Sequence, residues 1–383
     1  MHRPLFWHQG LFLQPQHFQL KDLYDQSLFE PYYQFLQPHL WGVGDCEIQE
    51  ASLGTRSFHL ASGRFLFPDM TYVDLPGNAV VEGRSFDEAW VEGGKPFTVF
   101  LGLKKFNDHG ENVTVLSKLE NVFDVATRFV TTTDPEETPD LHQGGPAAQV
   151  KRLNYALKIF WETELEDLGN YLLIPVAQIE KSGEEIRLSQ DFVPPCLAVG
   201  ASETLLTMVR EVRDQISARG RQLESYKRER GIQTAEFGTR DMVYLLALRS
   251  LNRYIPVFTH LTETRQVHPW TLYGLMRQLI GELSSFSERL NVIGEFEDGT
   301  LLLPTYDHRN LWECFSSAVA LITKLLDEIT AGPEYVMQLL FDGTYYATEL
   351  PPAIFEGGNR FYLVFETEAD PEGVLQSLET VAK

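Results

Sequence analysis

Apolar residues recur at helical spacing in one long segment, and this pattern limits the fold more than any other feature. The apolar members of this seam are Leu205, Val209, Val212, Ile216, Leu223 and Tyr226. Arg219 takes the one charged position of the seam, which argues that it is not wholly buried. Alternating steps of four and three residues are the heptad pattern of helices that pack together. The seam predicts a long helix whose apolar side associates with other copies or packs inside a bundle.

Three further segments at helical spacing follow the first. Their expected first residues are Thr239, Pro269 and the capping residue Asp307. Pro256 is expected to kink or end the second of these four helices, because proline lacks a backbone donor. The third helix is expected to continue to Ile293, just before Gly294. Four helices joined by modest links predict an antiparallel four-helix bundle over residues 199–332.

The first 198 residues have the pattern of a β-rich domain. Short runs rich in Phe, Val, Thr and Tyr alternate with Gly, Pro, Asn and Asp, which favours strands joined by turns. The predicted strands are 63–67, 71–75, 97–104, 113–116, 123–132, 153–162, 172–179 and 185–188. One helix from Pro15 to Glu30 is the exception, and Pro31 is expected to stop it. Residues 1–198 are therefore expected to form an antiparallel β-sandwich or barrel, with a sandwich favoured.

The last residues of the chain return to a mixed pattern. Residues 334–341, 345–350 and 360–366 predict strands, and residues 370–382 predict a short helix. We expect residues 333–383 to form a small C-terminal α/β domain, although about 50 residues can bury only a small hydrophobic core. Gly332 and Pro333 are expected to act as a hinge before it, because few buried contacts cross such a boundary.

The charge balance excludes some classes of partner. The chain has 383 residues, with 32 Lys and Arg against 54 Asp and Glu, and so a net charge of −22. Proteins that bind nucleic acids need basic surface to displace counterions from phosphate groups. We therefore expect no nucleic-acid partner, although a local basic patch is compatible with the negative total.

The spacing of the cysteines and the length of the apolar runs indicate the cellular compartment of the protein. Its three cysteines are far apart, which argues against a disulfide framework or a zinc knuckle. No apolar run approaches the roughly 20 residues of a membrane helix, and the N-terminus lacks the apolar core of a signal peptide. A cytoplasmic protein without membrane insertion is the expectation.

Motifs of known catalytic chemistry are absent from the sequence. It contains no G-x-x-x-x-G-K-[ST], H-E-x-x-H or G-x-S-x-G. Glu162, Glu164 and Glu166 alternate, and we expect them on the solvated face of a strand. We therefore expect a protein without catalytic residues, metal or cofactor. A carbohydrate hydrolase stays a distant alternative, which two carboxylates in a deep pocket would favour.

The first 20 residues are unusually apolar for a chain end. Their candidate binding residues are Trp7, Phe12, Leu13, Pro15, His17 and Phe18. Two interpretations stay open. The segment either packs back on the β-rich domain or inserts as an apolar arm into a partner, where aromatic residues are common anchors.

The same segment resembles the N-terminal signature W-x-E-G-x-x-L-x-P-Q-H-F-Q of the TssK family, baseplate subunits of type VI secretion systems. Trp7, Gly10, Leu13 and residues 15–19 match it, whereas Gln9 stands where the family usually has Glu. Weaker matches follow in the family's order: Trp41-Gly42, Phe67-Pro68-Asp69, 174–177, 192–197 and Tyr306-Asp307-His308. Family members usually continue for several tens of residues beyond 383, so we expect part of the C-terminal domain to be missing.

The resemblance implies a β-sandwich shoulder, a helical stalk and a small mobile head, as in the receptor-binding proteins of tailed phages. It implies a homotrimer without catalytic activity. The shoulder is then expected to join the TssF–TssG wedge, and the head the inner-membrane complex of TssJ, TssL and TssM. The chain would be a baseplate adaptor at the cytoplasmic face of the inner membrane. A receptor-binding protein of another phage-tail-like contractile machine is the alternative, because its sequence pattern would look the same.

Overall fold

Strands dominate the first part of the chain and long helices the second. The computed structural model describes residues 2–330 except 88, 91–94, 184, 231–238 and 297, together with 339–341, 343 and 346–348. The chain therefore contains both strands and helices. The predicted hinge, Gly332-Pro333, and most of the predicted domain 333–383 lie outside the described residues.

Most strands lie between residues 42 and 188. They are β1 (Gly42–Ile48), β2 (Ser57–Phe58), β3 (Leu60–Leu66), β4 (Tyr72–Leu75), β5 (Ala79–Val81), β6 (Arg84–Ser85), β7 (Phe97–Lys104), β8 (Val113–Leu116), β9 (Phe129–Thr132), β10 (Glu136–Thr138), β11 (Ala148–Val150), β12 (Asn154–Trp161), β13 (Tyr171–Ser182) and β14 (Glu185–Leu188). A short pair follows the helices, β15 (Leu340–Phe341) and β16 (Tyr346–Ala347). The observed bounds of β7, β8 and β14 are the predicted ones.

Two main sheets are formed by these strands. β1, β3 and β4 make a three-stranded antiparallel sheet, and a seven-stranded sheet has the order β14-β13-β7-β12-β9-β8, with β5 beside β12. The β8–β9 and β5–β12 pairs are parallel. The expectation of a purely antiparallel arrangement is wrong for these pairs. The connection from β8 to β9, residues 117–128, is long enough for the crossover that a parallel pair requires.

Both main sheets bury side chains in one hydrophobic cluster. Phe65 and Val73 come from the small sheet, and Leu101, Leu157 and Ile174 come from the large one. Each of these is at most 1% exposed. Burial of such a side chain stabilises the fold by roughly 1.5–3 kcal/mol. The shared cluster holds the two sheets together.

A buried arginine ties the two sheets together at a second place. Arg128 donates hydrogen bonds to the Asp69 carboxylate at 2.9 Å, the Thr71 hydroxyl at 2.5 Å and the Lys104 carbonyl at 2.8 Å. Its side chain is 5% exposed. Because a charge buried this deeply needs its partners, the loop between β3 and β4 is fixed against the end of β7.

The acidic residues around position 164 do not lie on a strand. They belong to a 3-10 helix, Glu162–Asp167. The Glu164 carboxylate accepts two hydrogen bonds from Arg84, both at 2.6 Å, and one from the Trp161 amide at 2.8 Å. The expectation of a solvated strand face is therefore wrong, because Glu164 closes the turn that follows β12.

The helices of the described residues include two short ones near the N-terminus and four long ones after residue 202. They are α1 (Pro15–Ser27), α2 (Glu30–Leu36), α3 (Glu203–Arg230), α4 (Thr239–Thr264), α5 (Pro269–Leu283) and α6 (Leu311–Thr330). α3 has 28 residues, which corresponds to about 42 Å. It begins after Ser202, whose hydroxyl accepts a hydrogen bond from the Leu205 amide at 3.3 Å.

The predicted apolar seam lies inside the helical part. Its described side chains are at most 3% exposed and pack with residues of α4, α5 and α6: Leu205, Val209, Val212, Ile216 and Leu223. The side chain of Tyr226 lies outside the described residues. This corrects the expectation that the seam offers surface to another copy, because the chain's own helices cover it. Arg219 is accommodated by an ion pair with Asp327 at 3.1 Å.

α4 runs antiparallel to α3 and passes through Pro256 without ending. Arg213, in the first half of α3, donates a hydrogen bond to the Thr262 hydroxyl near the end of α4 at 3.3 Å. Proline removes the donor that the Asn252 carbonyl would otherwise bind. Asn252 is exposed, so water can replace that donor.

α6 runs parallel to α3, which differs from the expected antiparallel bundle. Thr323 donates a hydrogen bond to the Gln215 side chain at 2.8 Å. One turn further along both helices, Arg219 meets Asp327. The long connection formed by residues 287–310 returns the chain to the end where α5 begins, which makes the parallel direction possible.

Local turns explain two wrong helix boundaries. α5 ends at Leu283 rather than Ile293, and the Asn291 side chain then accepts hydrogen bonds from the Ile293 and Glu295 amides at 3.0 and 3.1 Å. Such side-chain bonds to the backbone compete with helix. Similarly, Asp307 caps the turn before α6 rather than α6 itself, since its carboxylate accepts from an amide of that turn.

Candidate protein-binding surface

Residues 2–36, which we call the N-terminal surface, carry a dense group of exposed apolar side chains. Eleven large ones in this segment are at least 40% exposed: Phe6, Trp7, Phe12, Leu13, Phe18, Leu20, Leu28, Phe29, Tyr32, Phe35 and Leu36. Only one of the first 20 residues, Arg3, is a lysine, arginine or acid. Apolar groups of this size on a protein surface generally mark an interaction site.

The N-terminal surface stands apart from the hydrophobic cores. No described residue before Trp41 belongs to any of the three hydrophobic clusters of the described part of the chain. The His2 amide instead donates to the hydroxyl of Ser27 at 3.1 Å, and the ring of Trp7 lies 6.4 Å from that of His17. The first residues therefore fold back on α1, and not on the β-rich part.

A glycine turn shapes the segment before α1. The Leu11 amide donates to the His8 carbonyl at 3.3 Å, and Gly10 between them has a φ of +82°. This left-handed backbone is easy for glycine and strained for residues with side chains. The turn places Phe12 and Leu13 directly after it, where they are 80% and 52% exposed.

The predicted binding residues of this segment are accessible. Trp7 and Phe18 are about half exposed, and Pro15 is exposed. His17 is half-buried, and its Nδ1 accepts a hydrogen bond from the Gln14 amide at 3.1 Å, which caps α1. Of the two interpretations left open by the sequence, the exposure of these side chains and their absence from the clusters of the described residues favour the apolar arm.

α2 and the residue before it add further exposed apolar side chains to this surface. Phe29, Tyr32, Phe35 and Leu36 are all more than half exposed. Pro31 does not stop a helix but lies in the first turn of α2, where its missing donor is not needed. The spacing of three between positions 29, 32 and 35 was the available signal, because it places these residues on one side of a helix.

A cluster of rings joins the N-terminal surface to the helical part. We call His39, Trp41, His268, Tyr306 and His308 the histidine junction. The His308 ring stacks between those of His39 and His268, with centroids 5.5 and 5.4 Å apart. Nε2 of His268 donates to the His39 carbonyl at 3.1 Å, and Nε2 of His308 donates to the Trp41 carbonyl at 2.8 Å. These bonds fix the chain between α2 and β1.

The junction holds its buried imidazoles neutral. Since Nε2 of His308 donates a hydrogen bond, its Nδ1 accepts one from the Tyr306 hydroxyl at 2.7 Å. Burial lowers the pKa of His308 to about 4, and His268 and His39 nearby add to the effect. Burial also lowers the pKa of His268, whose Nδ1 caps α5 by accepting from the Trp270 amide at 3.1 Å.

Three segments singled out by the family resemblance meet at this junction. The Val43 amide donates to the Pro195 carbonyl at 2.7 Å, and the Leu197 amide donates to the Val43 carbonyl at 2.9 Å. Gly42 has a φ of +122°, and a Cβ there would lie 2.3 Å from the Pro195 oxygen. Residues 41–42, 192–197 and 306–308 therefore hold the two parts of the chain together. Sequence reasoning alone did not bring them together.

The three cysteines are free thiols, two of them buried and one half-buried. Burial raises the pKa of Cys46 to about 12 and also raises the pKa of Cys196 and of Cys314, so these thiols stay protonated at neutral pH. Within the described ranges, no cluster of three or more His, Cys, Asp or Glu side chains has a geometry that would hold a metal ion. None of the helices in this part of the chain combines the length and apolarity that a bilayer crossing requires.

Comparisons with known proteins point to one bacterial machine. A family model for bacterial type VI secretion proteins, T6SS_VasE, which includes EvfL, ImpJ and VasE, matches residues 17–383. The type VI secretion system baseplate component TssK1 of Pseudomonas aeruginosa is 26% identical over 332 residues, which cover 84% of this chain and 68% of that protein.

Solved structures share the fold. A chain of the TssK-TssF-TssG baseplate subcomplex superimposes with a TM-score of 0.70 at 23% identity, and the match covers 85% of this chain and 99% of that one. A crystal structure of TssK gives a TM-score of 0.72 at 22% identity, covering 89% of this chain and 71% of that one. At these identities the likeness concerns the fold.

Proposed function

Because the chain belongs to the TssK family of type VI secretion baseplate components, we propose that it is a non-enzymatic adaptor that binds the TssF–TssG wedge through its N-terminal surface. The observation that carries this proposal is the exposure of apolar side chains over residues 2–36, outside every hydrophobic cluster of the described residues. A related chain has been solved in a complex named for TssK, TssF and TssG, which supports the choice of partner.

The exposed anchors can supply a large part of the free energy of a specific contact. Full burial of one exposed Phe or Leu side chain contributes roughly 1.5–3 kcal/mol. Trp7, Phe12, Leu13 and Phe18 are only 48–80% exposed, so burying the rest of them supplies roughly half or more of the about 8 kcal/mol of a micromolar complex. The conformational entropy lost when the segment is immobilised offsets part of this favourable free energy. The apolar residues of α2 extend the same surface and offset that loss.

We propose the family's layout for the rest of the chain. Residues 1–198 form the shoulder, residues 199–332 the stalk and residues 333–383 the head, with Gly332-Pro333 as the hinge. The separate hydrophobic clusters of the β-rich and helical parts support a division near the first boundary, with Val193 and Cys196 already in the cluster of the helical part. The head faces TssJ, TssL and TssM at the cytoplasmic side of the inner membrane, and three copies of the chain form a homotrimer.

Wedge binding by variants of the full chain tests the main proposal. Trp7→Ala/Phe12→Ala is expected to weaken binding to purified TssF–TssG by about 100-fold or more, since two anchors contribute roughly 3 kcal/mol or more. Phe106→Ala/Leu141→Ala removes exposed apolar side chains elsewhere and is expected to bind like the wild type. Equal binding by both variants, with unchanged circular dichroism, would show that the N-terminal surface is not the wedge site.

Light scattering tests the number of copies. A homotrimer is expected to have three times the 43.7 kDa mass of the chain. The mass of a single chain at micromolar concentration would contradict the homotrimer and leave the wedge proposal standing.

A further inference from the structure

We propose that Ser27 is a positioning residue of the N-terminal surface. Its buried hydroxyl holds residues 2–7, which we call the strap, along α1 and so presents Phe6 and Trp7 to the partner. The inference rests on the proposed wedge binding and names a residue that sets its strength without touching the wedge. Ser27 is 2% exposed and therefore has no surface to offer a partner.

Ser27 differs from the rest of α1 in its burial and its hydrogen bonds. Of the 13 residues of α1, all within the described part of the chain, only Ser27 is buried. Its hydroxyl donates to the Tyr24 carbonyl at 2.8 Å and accepts from the His2 amide at 3.1 Å. The Tyr24 carbonyl also accepts from the Leu28 amide at 3.2 Å. The end of α1 therefore keeps a hydrogen bond of its own without the Ser27 hydroxyl, whereas the His2 amide would lose its acceptor.

Two contacts determine the path of the strap along α1. The His2 amide meets Ser27 at the end of the helix, and the centre of the Trp7 ring lies 6.4 Å from that of the His17 ring near its beginning. From position 17 to position 27 the helix rises about 15 Å at 1.5 Å per residue. Five steps of extended chain, from position 2 to position 7, span about 17 Å. The strap is therefore nearly extended and runs antiparallel to α1.

The strap brings two aromatic residues to an anchor that α1 itself holds. Phe6 is 83% exposed, and Trp7 lies opposite His17 in the first turn of the helix. Phe18 follows His17 and is 55% exposed. If the strap is released, Phe18 stays in place on α1, but Phe6 and Trp7 lose their position beside it.

A held strap strengthens binding because its anchors need not be ordered at the moment of association. The apparent Kd rises as the fraction of chains in the binding-competent conformation falls. The strap belongs to none of the hydrophobic clusters of the described residues, so the Ser27 bond is a large part of what holds it. Loss of one hydrogen bond is expected to raise the ratio of released to held strap by about 2- to 10-fold.

Ser27→Ala in the full chain tests this role. Ser284→Ala is the matched control, because the Ser284 hydroxyl is also buried and also donates to the carbonyl three residues earlier, that of Gly281, at 2.9 Å. Chymotrypsin cleavage after Phe6 and Trp7, followed by mass spectrometry of the intact chain, measures release of the strap. Ser27→Ala should be cleaved about 2- to 10-fold faster than the wild type. Its Kd for purified TssF–TssG should rise about 2-fold or more, and the control should change neither quantity.

Two further backgrounds separate positioning from a general loss of stability. In Phe6→Ala/Trp7→Ala the strap carries no anchor, so adding Ser27→Ala should leave the Kd unchanged. In Phe18→Ala the strap keeps both aromatic residues, so adding Ser27→Ala should raise the Kd by the same factor as in the wild type. Equal weakening in both backgrounds would overturn the positioning role, because Ser27 would then act on something other than the strap anchors.

The outcomes also distinguish this inference from the wedge proposal. Unchanged cleavage of Ser27→Ala would overturn the inference, whatever the Kd. Faster cleavage with an unchanged Kd would overturn it as well, but weak binding by Phe6→Ala/Trp7→Ala would leave the wedge proposal standing. Wild-type Kd values for both Phe6→Ala/Trp7→Ala and Phe18→Ala would overturn the wedge proposal and the inference with it.

Discussion

The histidine junction makes a quantitative prediction about pH. In the folded chain the pKa of His308 is lowered from 6.5 to about 4 by burial. One unit of pKa corresponds to about 1.4 kcal/mol, so the full shift corresponds to about 3 kcal/mol. Between pH 6.5 and 4 the unfolded chain binds more protons at this position than the folded chain does. The contribution of His308 to the free energy of unfolding is therefore fully present above pH 6.5. It falls by about 3 kcal/mol as the pH drops to 4.

The substitution His308→Gln isolates this contribution. Glutamine can still donate a hydrogen bond to the Trp41 carbonyl, but it does not titrate. Thermal unfolding of both proteins between pH 7.5 and 4.5 is the assay, and the wild type should lose several degrees more than the variant over this range. The exposed residue His142 supplies the control, because His142→Gln should follow the wild type. Parallel curves for wild type and His308→Gln would refute the reasoning.

Two further substitutions test the packing described above. Gly42→Ala is expected to lower the free energy of unfolding by about 2 kcal/mol or more, because the backbone is left-handed and the new methyl group would overlap the Pro195 carbonyl. Chemical unfolding measures this loss, and an unchanged midpoint of denaturation would contradict it. Arg128→Met is expected to lower the free energy of unfolding by about 1–3 kcal/mol, because the Thr71 hydroxyl and the Lys104 carbonyl lose a donor while the Asp69 carboxylate, 34% exposed, keeps some hydration. Arg152→Met, at an ion pair whose two side chains are about 60% exposed, should cost under about 1 kcal/mol, and equal losses would contradict the account.

Local periodicity was sufficient to place many elements. β7 alternates buried and less buried positions over its first half, and its predicted bounds agree with the structure. The start of α3 is likewise set by local residues, because Ser202 caps it and Glu203 follows in the first turn. A 4–3 spacing does not say, however, whether a seam packs inside its own chain or against another. The burial of Leu205 and Ile216 resolves this point for the seam.

Predictions from the sequence were wrong where the same residue type is compatible with two different local structures. Pro31 was read as the end of a helix, but proline is equally suited to a first turn. Ile293 kept the apolar spacing of α5, yet the helix ends at Leu283 and Ile293 lies in a later turn that the Asn291 side chain stabilises. The parallel pairing of β8 with β9 depends on the path of the connection, which has no periodic signal.

The candidate site was only partly predictable. The sequence identified the apolar segment from Trp7 to Phe18 and left its environment open. The histidine junction depends on residues more than 200 positions apart, such as His39 and His268, which tertiary contacts bring together. The exposure of the apolar residues of α2 was not predicted, because large apolar residues are most often buried.

Hydrogen exchange of the full chain, alone and bound to TssF–TssG, tests the central claim most directly. The account predicts that backbone amides of residues 2–36 exchange more slowly in the complex. The exposed loop at residues 139–147 should exchange at the same rate in both samples. Slower exchange elsewhere on the chain, with residues 2–36 unchanged, would contradict the claim that the N-terminal surface binds the wedge.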